Sequence, residues 1–322
     1  MYVSGIYNII SFMSQNKAVI LMYHSINQPD CPYVYPDSII SIESFEKQIE
    51  YLTSKKRIVR LPELVKHIND GVKLPRGAVA ITFDDGYYDF FSNAYPILRK
   101  YNCSCTLFPI TGLLYSGELK WEDQLAYLVN SSNLGTLVVD VKGRSMRFKI
   151  SNKSGKLGAI RQLNSMLTQV DSEEIARTIS LIEKESGSSV RLPERVTLRY
   201  DEVVSLKDEP LISFGAHTHN HVSLGRVSLD TAESEIIRSK KEVERATGKE
   251  CNIFSYPIGK ARDFNETAKE ILKENGFQCA VTTIPGKVDV RSDPFELRRI
   301  AVTDDASYRF KCTIVGFALQ RS

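Results

Sequence analysis

The chain of 322 residues lacks the features that mark several specialised classes of protein. Its six cysteines include no C-x-x-C pair, so the sequence does not indicate a disulfide scaffold, and we expect buried free thiols. The formal net charge is only +3, and no basic run alternates with aromatic residues, which argues against a nucleic-acid partner. No apolar run is long enough for a transmembrane helix. The apolar and charged fractions, 42% and 25%, instead predict an ordinary globular protein.

The N-terminal segment also lacks the signals of export. Residues 1–16 contain no Lys or Arg, and no small-x-small cleavage site follows an apolar stretch, so a signal peptide is not indicated. The spacing of Ile6, Ile9, Ile10 and Met13 predicts a short amphipathic helix. We expect this helix to pack on the main domain, and peripheral contact with a membrane surface stays open. The expected location of the protein is cytoplasmic.

Seven short apolar runs alternate with amphipathic helices along the chain. The helices have recognisable ends: residues 230–246 are acidic early and basic late, Gly248 follows them, and 264–274 ends at an Asn-Gly pair. Strands that alternate with helices predict an α/β fold with a parallel sheet, either open or closed into a barrel. The predicted strands are 18–23, 78–83, 105–110, 211–214, 252–256, 279–282 and 297–302.

Residues 113–200 interrupt this alternation. They contain a segment rich in Gly, Ser, Asn and Lys at 142–158, which predicts irregular structure, and a helical part at 159–185. They also hold the only tryptophan, Trp121. We interpret residues 1–322 as a single domain in which 113–200 is an insertion that forms a lid or a subdomain.

Two adjacent carboxylates end the second predicted strand, in the segment I-T-F-D-D-G at residues 81–86. In parallel α/β folds active sites form at the carboxyl ends of strands, and Gly86 permits a sharp turn there. Because adjacent side chains point in different directions, one of Asp84 and Asp85 can bind a cation while the other faces a substrate. A turn or a helix N-cap, for which Asp is common, explains this motif alone equally well.

Three of the five histidines lie within five residues, in the segment F-G-A-H-T-H-N-H at 214–221. Histidines four residues apart can converge on one metal ion if the backbone turns like a helix. Thr218 stands where the helical H-E-x-x-H motif has its Glu, so that motif does not apply. A single histidine is more often structural than a ligand, but this cluster favours a metal site. We expect His217 and His221 to bind the metal and His219 to point away.

A further histidine, His24, ends the first predicted strand in L-M-Y-H. Its pKa near neutrality suits a general acid or base, although a histidine bonded to backbone explains the position equally well. Together the carboxylates and histidines fit a hydrolytic Zn²⁺ site of two histidines and one carboxylate, with a position open for water.

The two principal motifs resemble those of the polysaccharide deacetylase family, carbohydrate esterase family four. T-F-D-D-G is present at 82–86, H-[ST]-x-x-H is present at 217–221, and F-x-x-P-Y-G is approximated by F-S-Y-P-I-G at 254–259. The resemblance covers residues 18–112 and 200–302. It implies a distorted (β/α) barrel of about seven parallel strands.

The resemblance also implies roles for individual residues. Asp85, His217 and His221 would bind Zn²⁺ or another divalent metal, and Asp84 would be the general base. The late L-x-H motif that supplies the family's general acid is missing near the C-terminus, and L-M-Y-H at 21–24 offers an equivalent. This arrangement is similar to the circularly permuted branch seen among biofilm-polysaccharide deacetylases, so we expect His24 to be the general acid.

Two positions of the third motif depart from the family's pattern. Ser255 stands where the family often has an Arg that orients the base. Arg298 or Arg299 in the last predicted strand could supply that charge, and we favour Arg299. Ile258 stands where the family has an aromatic residue, and we expect its backbone N–H to donate to the oxyanion.

The resemblance therefore implies an enzyme, a hydrolase of carbon–nitrogen bonds other than peptide bonds. Its expected substrate is an N-acetylated glycan, which is a polysaccharide, an oligosaccharide or a lipid-linked intermediate of a cell-surface glycan, and its expected product is acetate. Two alternatives stay open: an O-acetyl sugar esterase that uses the same site, and a non-catalytic carbohydrate-binding relative. Acetate release from matched amide and ester substrates would separate the two enzymes, and failure to bind metal would favour the binding protein.

Overall fold

The computed structural model describes residues 16–187, 195–305 and 308–315. The amphipathic helix predicted at residues 6–13 lies outside these ranges, so its packing stays a prediction. Over the described residues, no helix combines the length and the apolar character that a bilayer crossing requires.

A nearly closed barrel of parallel strands forms the centre of the fold, as the sequence predicts. In chain order the strands are β1 (Val19–Tyr23), β2 (Ser25–Ile26), β3 (Ile39–Ile40), β4 (Arg57–Ile58), β5 (Ala78–Asp85), β6 (Cys105–Pro109), β7 (Thr136–Val141), β8 (Arg144–Lys149), β9 (Ile212–Phe214), β10 (Ile253–Ser255), β11 (Cys279–Pro285) and β12 (Leu297–Ala301). Seven of them pair in the order β10-β11-β12-β1-β5-β6-β9, and β4 pairs with β5 off this path. The ring closes where Ala216, just after β9, forms a parallel bridge with Phe254 in β10.

Helices connect the strands and pack against them. They are α1 (Ile42–Lys55), α2 (Leu61–Asn69), α3 (Tyr95–Lys100), α4 (Leu113–Ser116), α5 (Trp121–Ser131), α6 (Lys153–Leu167), α7 (Ser172–Ser186), α8 (Tyr200–Ser205), α9 (Leu229–Thr247), α10 (Glu266–Glu274) and α11 (Tyr308–Val315). As predicted, α9 ends at Gly248, which has a left-handed backbone with φ of 67°. Helix α10 begins two residues later than predicted, because the Asn265 side chain caps it by accepting from the Ala268 N–H.

Both faces of β1, β5, β6 and β10 are buried, which explains their nearly continuous apolar sequences. In β1, Leu21 packs in one hydrophobic cluster with Phe45 and Ile49 of α1. Its neighbour Ile20 belongs to a second cluster that contains residues of β6, β10, β11 and β12, on the inner side of the ring. Burial of each such side chain stabilises the fold by roughly 1.5–3 kcal/mol. This packing fixes the position of β1 and of His24, which follows it.

A separate hydrophobic cluster joins α5, α6, α7 and the antiparallel hairpin of β7 and β8. The expectation of irregular structure at 142–158 is wrong, since β8 and the start of α6 lie there. Met146 and Phe148 alternate with exposed residues and pack on the cluster, which makes β8 a half-buried strand. Asn152 then caps α6 by accepting from the Gly155 N–H.

The helical part predicted at 159–185 is two helices rather than one. Helix α6 ends at Leu167, and Asp171 begins α7 by accepting from the Glu174 N–H. The interpretation of 113–200 as an insertion stays a prediction.

The carboxyl ends of neighbouring strands meet at one rim of the barrel. Because the strands are parallel, residues that follow β1, β5, β9 and β10 lie at the same end. His24 follows β1, Asp84 and Asp85 end β5, His217 follows β9, and Ile258 follows β10. The fold thus places residues from four distant parts of the sequence at one rim.

Candidate active site

The three predicted metal ligands lie close together at this rim. Asp85 Oδ1 lies 3.4 Å from His217 Nε2 and 3.4 Å from His221 Nε2. One ligand atom from each of these residues lies within 4.8 Å of the other two, and all three residues are buried. His219 lies outside this group, because its Nδ1 bonds to Thr111 Oγ1 at 3.0 Å and its Nε2 to Arg238 Nη2 at 2.8 Å.

This donor set fits a divalent metal ion. Asp85 Oδ1 is buried and, within the part of the chain that the structure describes, has no hydrogen-bond partner. A buried carboxylate oxygen without a partner is costly, so its position between two imidazole nitrogens favours a cation there. Two imidazoles and one carboxylate suit Zn²⁺ and other first-row divalent ions.

Hydrogen bonding orients the His217 ring, and burial keeps the His221 ring neutral. His217 Nδ1 lies 2.7 Å from the Ser255 carbonyl oxygen, so this nitrogen carries the proton and the Nε2 lone pair faces Asp85. Burial lowers the pKa of His221 to about 3, so its ring is neutral near pH 7. Its Nδ1 lies 3.5 Å from Glu122 Oε1.

Asp84, the predicted base, forms a bidentate ion pair with Arg299. The Nη1 and Nη2 atoms of this fully buried arginine donate to Asp84 Oδ1 at 2.8 Å and to Oδ2 at 2.6 Å. Burial raises the pKa of Asp84, but the guanidinium outweighs this effect and holds the pKa below its ordinary value. Asp84 is therefore ionised and able to accept a proton.

The neighbours of this ion pair show which arginine contacts the base. Ser255 Oγ accepts from Arg299 Nη2 at 3.0 Å and donates to Asp84 Oδ2 at 3.3 Å. Arg298, the alternative in the same strand, is exposed. The structure thus places the Arg299 guanidinium, and not that of Arg298, between Ser255 and Asp84.

His24 follows directly after β1, the strand next to β5, and is partly buried. Burial lowers its pKa, and the charges of Asp85 and Asp84 partly offset that effect. The turn that follows is fixed by Asp89, whose carboxylate accepts from Ser25 Oγ at 2.5 Å and from the Ile26 N–H at 3.0 Å. His24 is therefore held beside the two aspartates.

Four non-glycine residues at the rim have a left-handed backbone. The φ angles of Asp85, Thr218, His221 and Ile258 are 71°, 59°, 57° and 60°. Such angles are unfavourable for side chains, above all for β-branched ones, and persist where the surrounding structure enforces them. Their concentration at the metal ligands and at the predicted oxyanion donor is typical of a functional site.

The turn that carries Ile258 is tightly fixed. Its carbonyl oxygen accepts from Thr283 Oγ1 at 2.6 Å. At Gly259, which has φ of 66°, an added Cβ would lie 2.9 Å from the Thr283 nitrogen and from the Tyr256 oxygen. Among the described residues no acceptor is recorded for the Ile258 N–H, which is thus available to a ligand.

Two charged residues that the sequence interpretation missed contact the metal ligands from the start of α5. Lys120 Nζ lies 2.6 Å from Asp85 Oδ2, and both side chains are buried. Glu122 is the residue that faces His221 Nδ1. In the sequence, only a run of charges around Trp121 marks these two residues. Such a run also suits an exposed helix start, so it does not identify Lys120 and Glu122 as site residues.

The histidine segment is held by a third residue that the sequence interpretation missed. Glu235 in α9 is buried and accepts from the backbone N–H groups of His219 and Asn220 at 2.8 and 2.7 Å. It also accepts from Asn220 Nδ2 at 2.7 Å. This carboxylate fixes the turn between His217 and His221.

A cleft of about 410 Å³ opens beside the metal ligands. Its volume lies in the range of small-molecule sites. It runs between α7 and the segment after His221, and its walls combine apolar side chains, hydroxyl groups and the Trp121 ring. Because His221 and Ile258 line it, the cleft reaches the candidate metal ligands.

A parallel barrel with a carboxylate, two histidines and an ionised aspartate at its rim is suited to hydrolysis. The chain belongs to the polysaccharide deacetylase family. The sequence model of that family matches residues 71–132 and 172–280, more than half of the chain, and this match includes Asp84, Asp85, His217 and His221. Membership assigns the chain to the hydrolases that act on carbon–nitrogen bonds other than peptide bonds. Residues 133–171 lie outside the match.

Individual relatives agree with this assignment. A putative polysaccharide deacetylase of Bacillus subtilis, YxkH, is 24% identical over 292 residues, which cover 90% of this chain and 73% of the relative. The poly-beta-1,6-N-acetyl-D-glucosamine N-deacetylase of Staphylococcus aureus is 34% identical over 109 residues, which cover 30% of this chain and 37% of the relative.

Solved structures confirm the barrel fold. The Streptococcus pyogenes deacetylase PplD, in complex with acetate, superposes with a TM-score of 0.63 at 19% identity, over 94% of this chain and 99% of that chain. IcaB from Ammonifex degensii superposes with a TM-score of 0.59 at 19% identity, over 93% of this chain and 97% of that chain.

Proposed function

We propose that the protein is a metal-dependent deacetylase that hydrolyses the N-acetyl group of an acetamido sugar in a glycan and releases acetate. One observation carries this proposal: the atoms of Asp85, His217 and His221 that fit a metal converge beside an aspartate held ionised by Arg299. The named activity of the Staphylococcus aureus relative supports an N-acetylated glycan as the substrate.

In the proposed reaction, each residue of the rim has a separate role. A divalent ion held by Asp85, His217 and His221, for which Zn²⁺ matches the donor set best, supplies Lewis acidity at the acetamide carbonyl. Asp84 accepts the proton of the attacking water. The Ile258 N–H donates to the carbonyl oxygen as negative charge develops on it.

His24 completes the proposed mechanism as the general acid. A proton from its ring passes to the nitrogen of the departing amine, so the products are acetate and a free amino sugar. Its position directly after β1, which pairs with β5, supports this role, since the charges of both aspartates act on the ring. This role also supports the proposed relation to the circularly permuted branch, in which the motif of the general acid comes first.

The cleft between α7 and the histidine segment is the proposed path of the glycan chain. The Trp121 ring offers a flat apolar surface for a sugar ring, and the hydroxyl groups of Thr168 and Ser223 in the lining can bond to sugar hydroxyls. In this proposal, residues 113–200 act as a lid or subdomain that selects the substrate.

For the biological setting, we propose a cytoplasmic enzyme that acts on an intermediate of a cell-surface glycan, with peripheral membrane contact. Fractionation of cells that express the full chain tests the location. Recovery in the cytoplasmic and membrane fractions would support it, and recovery in the periplasm or medium would contradict it.

Acetate release from N-acetylglucosamine oligomers tests the function directly. The zinc-loaded wild type should release acetate, and Asp84→Asn and His217→Ala should each lower the rate at least 100-fold. His67→Ala in α2, away from the rim, is the matched histidine control and should retain wild-type activity. Release from O-acetylated sugars but not from N-acetylated ones would contradict the choice of bond. A protein that binds zinc at no site would contradict the whole proposal.

A further inference from the structure

The two oxygens of the Asp85 carboxylate have different neighbours. Oδ1 faces the two histidine nitrogens at 3.4 Å. Oδ2 lies 2.6 Å from Lys120 Nζ, in a pair whose side chains are only 7% and 4% exposed. A single carboxylate is thus shared between a lysine on one side and the proposed metal position on the other.

This lysine is buried in a place where its charge is costly. An ammonium group loses several kcal/mol of hydration on burial, and a pair of this kind can be matched by apolar residues of similar volume. Besides Asp85, its nearest charges are the carboxylates of Glu122 and Asp123, and it lies 5.4 Å from the centre of the Tyr87 ring. Packing alone would be satisfied by an uncharged side chain of this length.

The charge also acts on any cation at the neighbouring site. Two positive charges that share one carboxylate repel each other, and at low effective dielectric that repulsion is strong. The hydrogen bond that Lys120 Nζ donates to Asp85 Oδ2 draws electron density away from the other carboxylate oxygen. A metal in contact with Oδ1 is then bound less tightly, and its Lewis acidity is higher.

We propose that Lys120 is a positioning residue that restricts Asp85 to one metal-facing oxygen and weakens its donation, which lowers metal affinity and raises reactivity. This inference rests on the proposed function, because it requires a catalytic metal at Asp85, His217 and His221. It assigns a catalytic contribution to the start of α5, which contacts two of the three metal ligands through Lys120 and Glu122.

Competition with a coloured zinc chelator tests the inference without any activity assay. Lys120→Met keeps the length and removes the charge, so the loss of charge repulsion should make it bind zinc at least roughly tenfold more tightly than the wild type. A merely structural lysine would give the opposite result, because damage to the site weakens binding. Lys120→Arg keeps the charge and should stay within threefold of the wild-type affinity.

Kinetics with saturating zinc provides the second readout. Lys120→Met should lower kcat at least tenfold with KM within twofold, and Lys120→Arg should recover most of kcat. Lys269→Met is the matched control, since Lys269 in α10 is a buried lysine paired with carboxylates away from the rim. This control should leave zinc affinity and kcat unchanged.

The outcomes separate the inference from the function on which it rests. Tighter zinc binding together with a lower kcat supports the role of Lys120. Unchanged or weaker zinc binding in Lys120→Met, in an assay where the wild type binds zinc and releases acetate, overturns the inference alone. A rise in KM with kcat unchanged also overturns it, because Lys120 would then bind substrate. A wild type that binds no zinc overturns both.

Discussion

Arg299 determines the state of the proposed base. Its guanidinium meets Asp84 through two hydrogen bonds inside the barrel, where neither group reaches water. Removal of one partner from a buried ion pair leaves the other charge uncompensated. Arg299→Met should therefore destabilise the protein by about 3–5 kcal/mol and lower acetate release at least 100-fold, as measured by urea unfolding and by the oligomer assay.

The exposed Arg298 and the small Ser255 provide a control and a rescue. Arg298→Met, in the same strand, should behave as the wild type in both measurements. Ser255→Arg combined with Arg299→Met returns a guanidinium to the motif position and should restore at least a tenth of the activity. Full activity in Arg299→Met alone would show that Asp84 does not need the ion pair.

His24 can be tested through the leaving group. A general acid matters for an amine, which must be protonated to leave, but hardly matters for a phenolate. His24→Asn should lower the hydrolysis of N-acetylglucosamine oligomers at least 100-fold and that of 4-nitrophenyl acetate less than fivefold. Equal losses on both substrates would assign His24 to another task.

At the scale of elements, α9 contacts the histidine segment through Glu235, Arg238 and Ser239, and the Glu235 carboxylate makes most of the hydrogen bonds. Glu235 bonds the backbone of His219 and Asn220 from the first half of the helix. Glu235→Ala should loosen this turn and weaken zinc binding roughly 10- to 100-fold, as chelator competition would show. Glu233→Ala, an exposed position in the same helix, should leave the affinity unchanged. If both variants bind zinc like the wild type, the geometry of the segment does not depend on Glu235.

The barrel strands were predictable and the small cluster beside them was not. Most barrel strands are apolar runs, and β1, β5, β6 and β10 are buried on both faces, so their sequences stand out whatever their neighbours are. In β8 only Met146 and Phe148 face the cluster, among exposed serine, arginine and lysine residues, so the alternation is short and weak. The contact of Lys120 with Asp85 depends on how α5 meets the barrel, which no local pattern encodes.

The sequence motifs identified residues that the structure brings together, but not the contacts that other elements make with them. Asp85, His217 and His221 lie in compact patterns, and the structure brings their ligand atoms together. The missing charge at Ser255 indicates that another arginine is needed. Nothing in the sequence favours Arg299 over Arg298. The structure gives the reason for the choice: Arg299 points into the barrel, while its neighbour in the strand is exposed.

At the scale of the whole molecule, Asp89 links global stability to pH. It is buried, and burial raises its pKa from the ordinary 3.8 to about 6, despite the hydrogen bonds that it accepts. The folded chain therefore holds this proton more tightly than the unfolded chain. The resulting stabilisation is present below about pH 4 and is lost as pH rises to about 6, a change of about 3 kcal/mol.

A comparison of variants isolates this contribution. The free energy of unfolding of the wild type, relative to Asp89→Asn, should fall between pH 4 and pH 6.5, with a chelator present so that metal loading does not vary. Asp30→Asn, at an exposed position, should show a difference from the wild type that does not change over this range. A wild-type advantage over Asp89→Asn that grows with pH would contradict the raised pKa.

The central claim is that one divalent ion binds at the rim of the barrel. The most direct measurement is anomalous diffraction at the zinc edge from crystals of the zinc-loaded protein. We predict one strong peak per chain within bonding distance, about 2.0–2.2 Å, of Asp85 Oδ1, His217 Nε2 and His221 Nε2. A peak elsewhere, with these three atoms free of metal, would contradict the account.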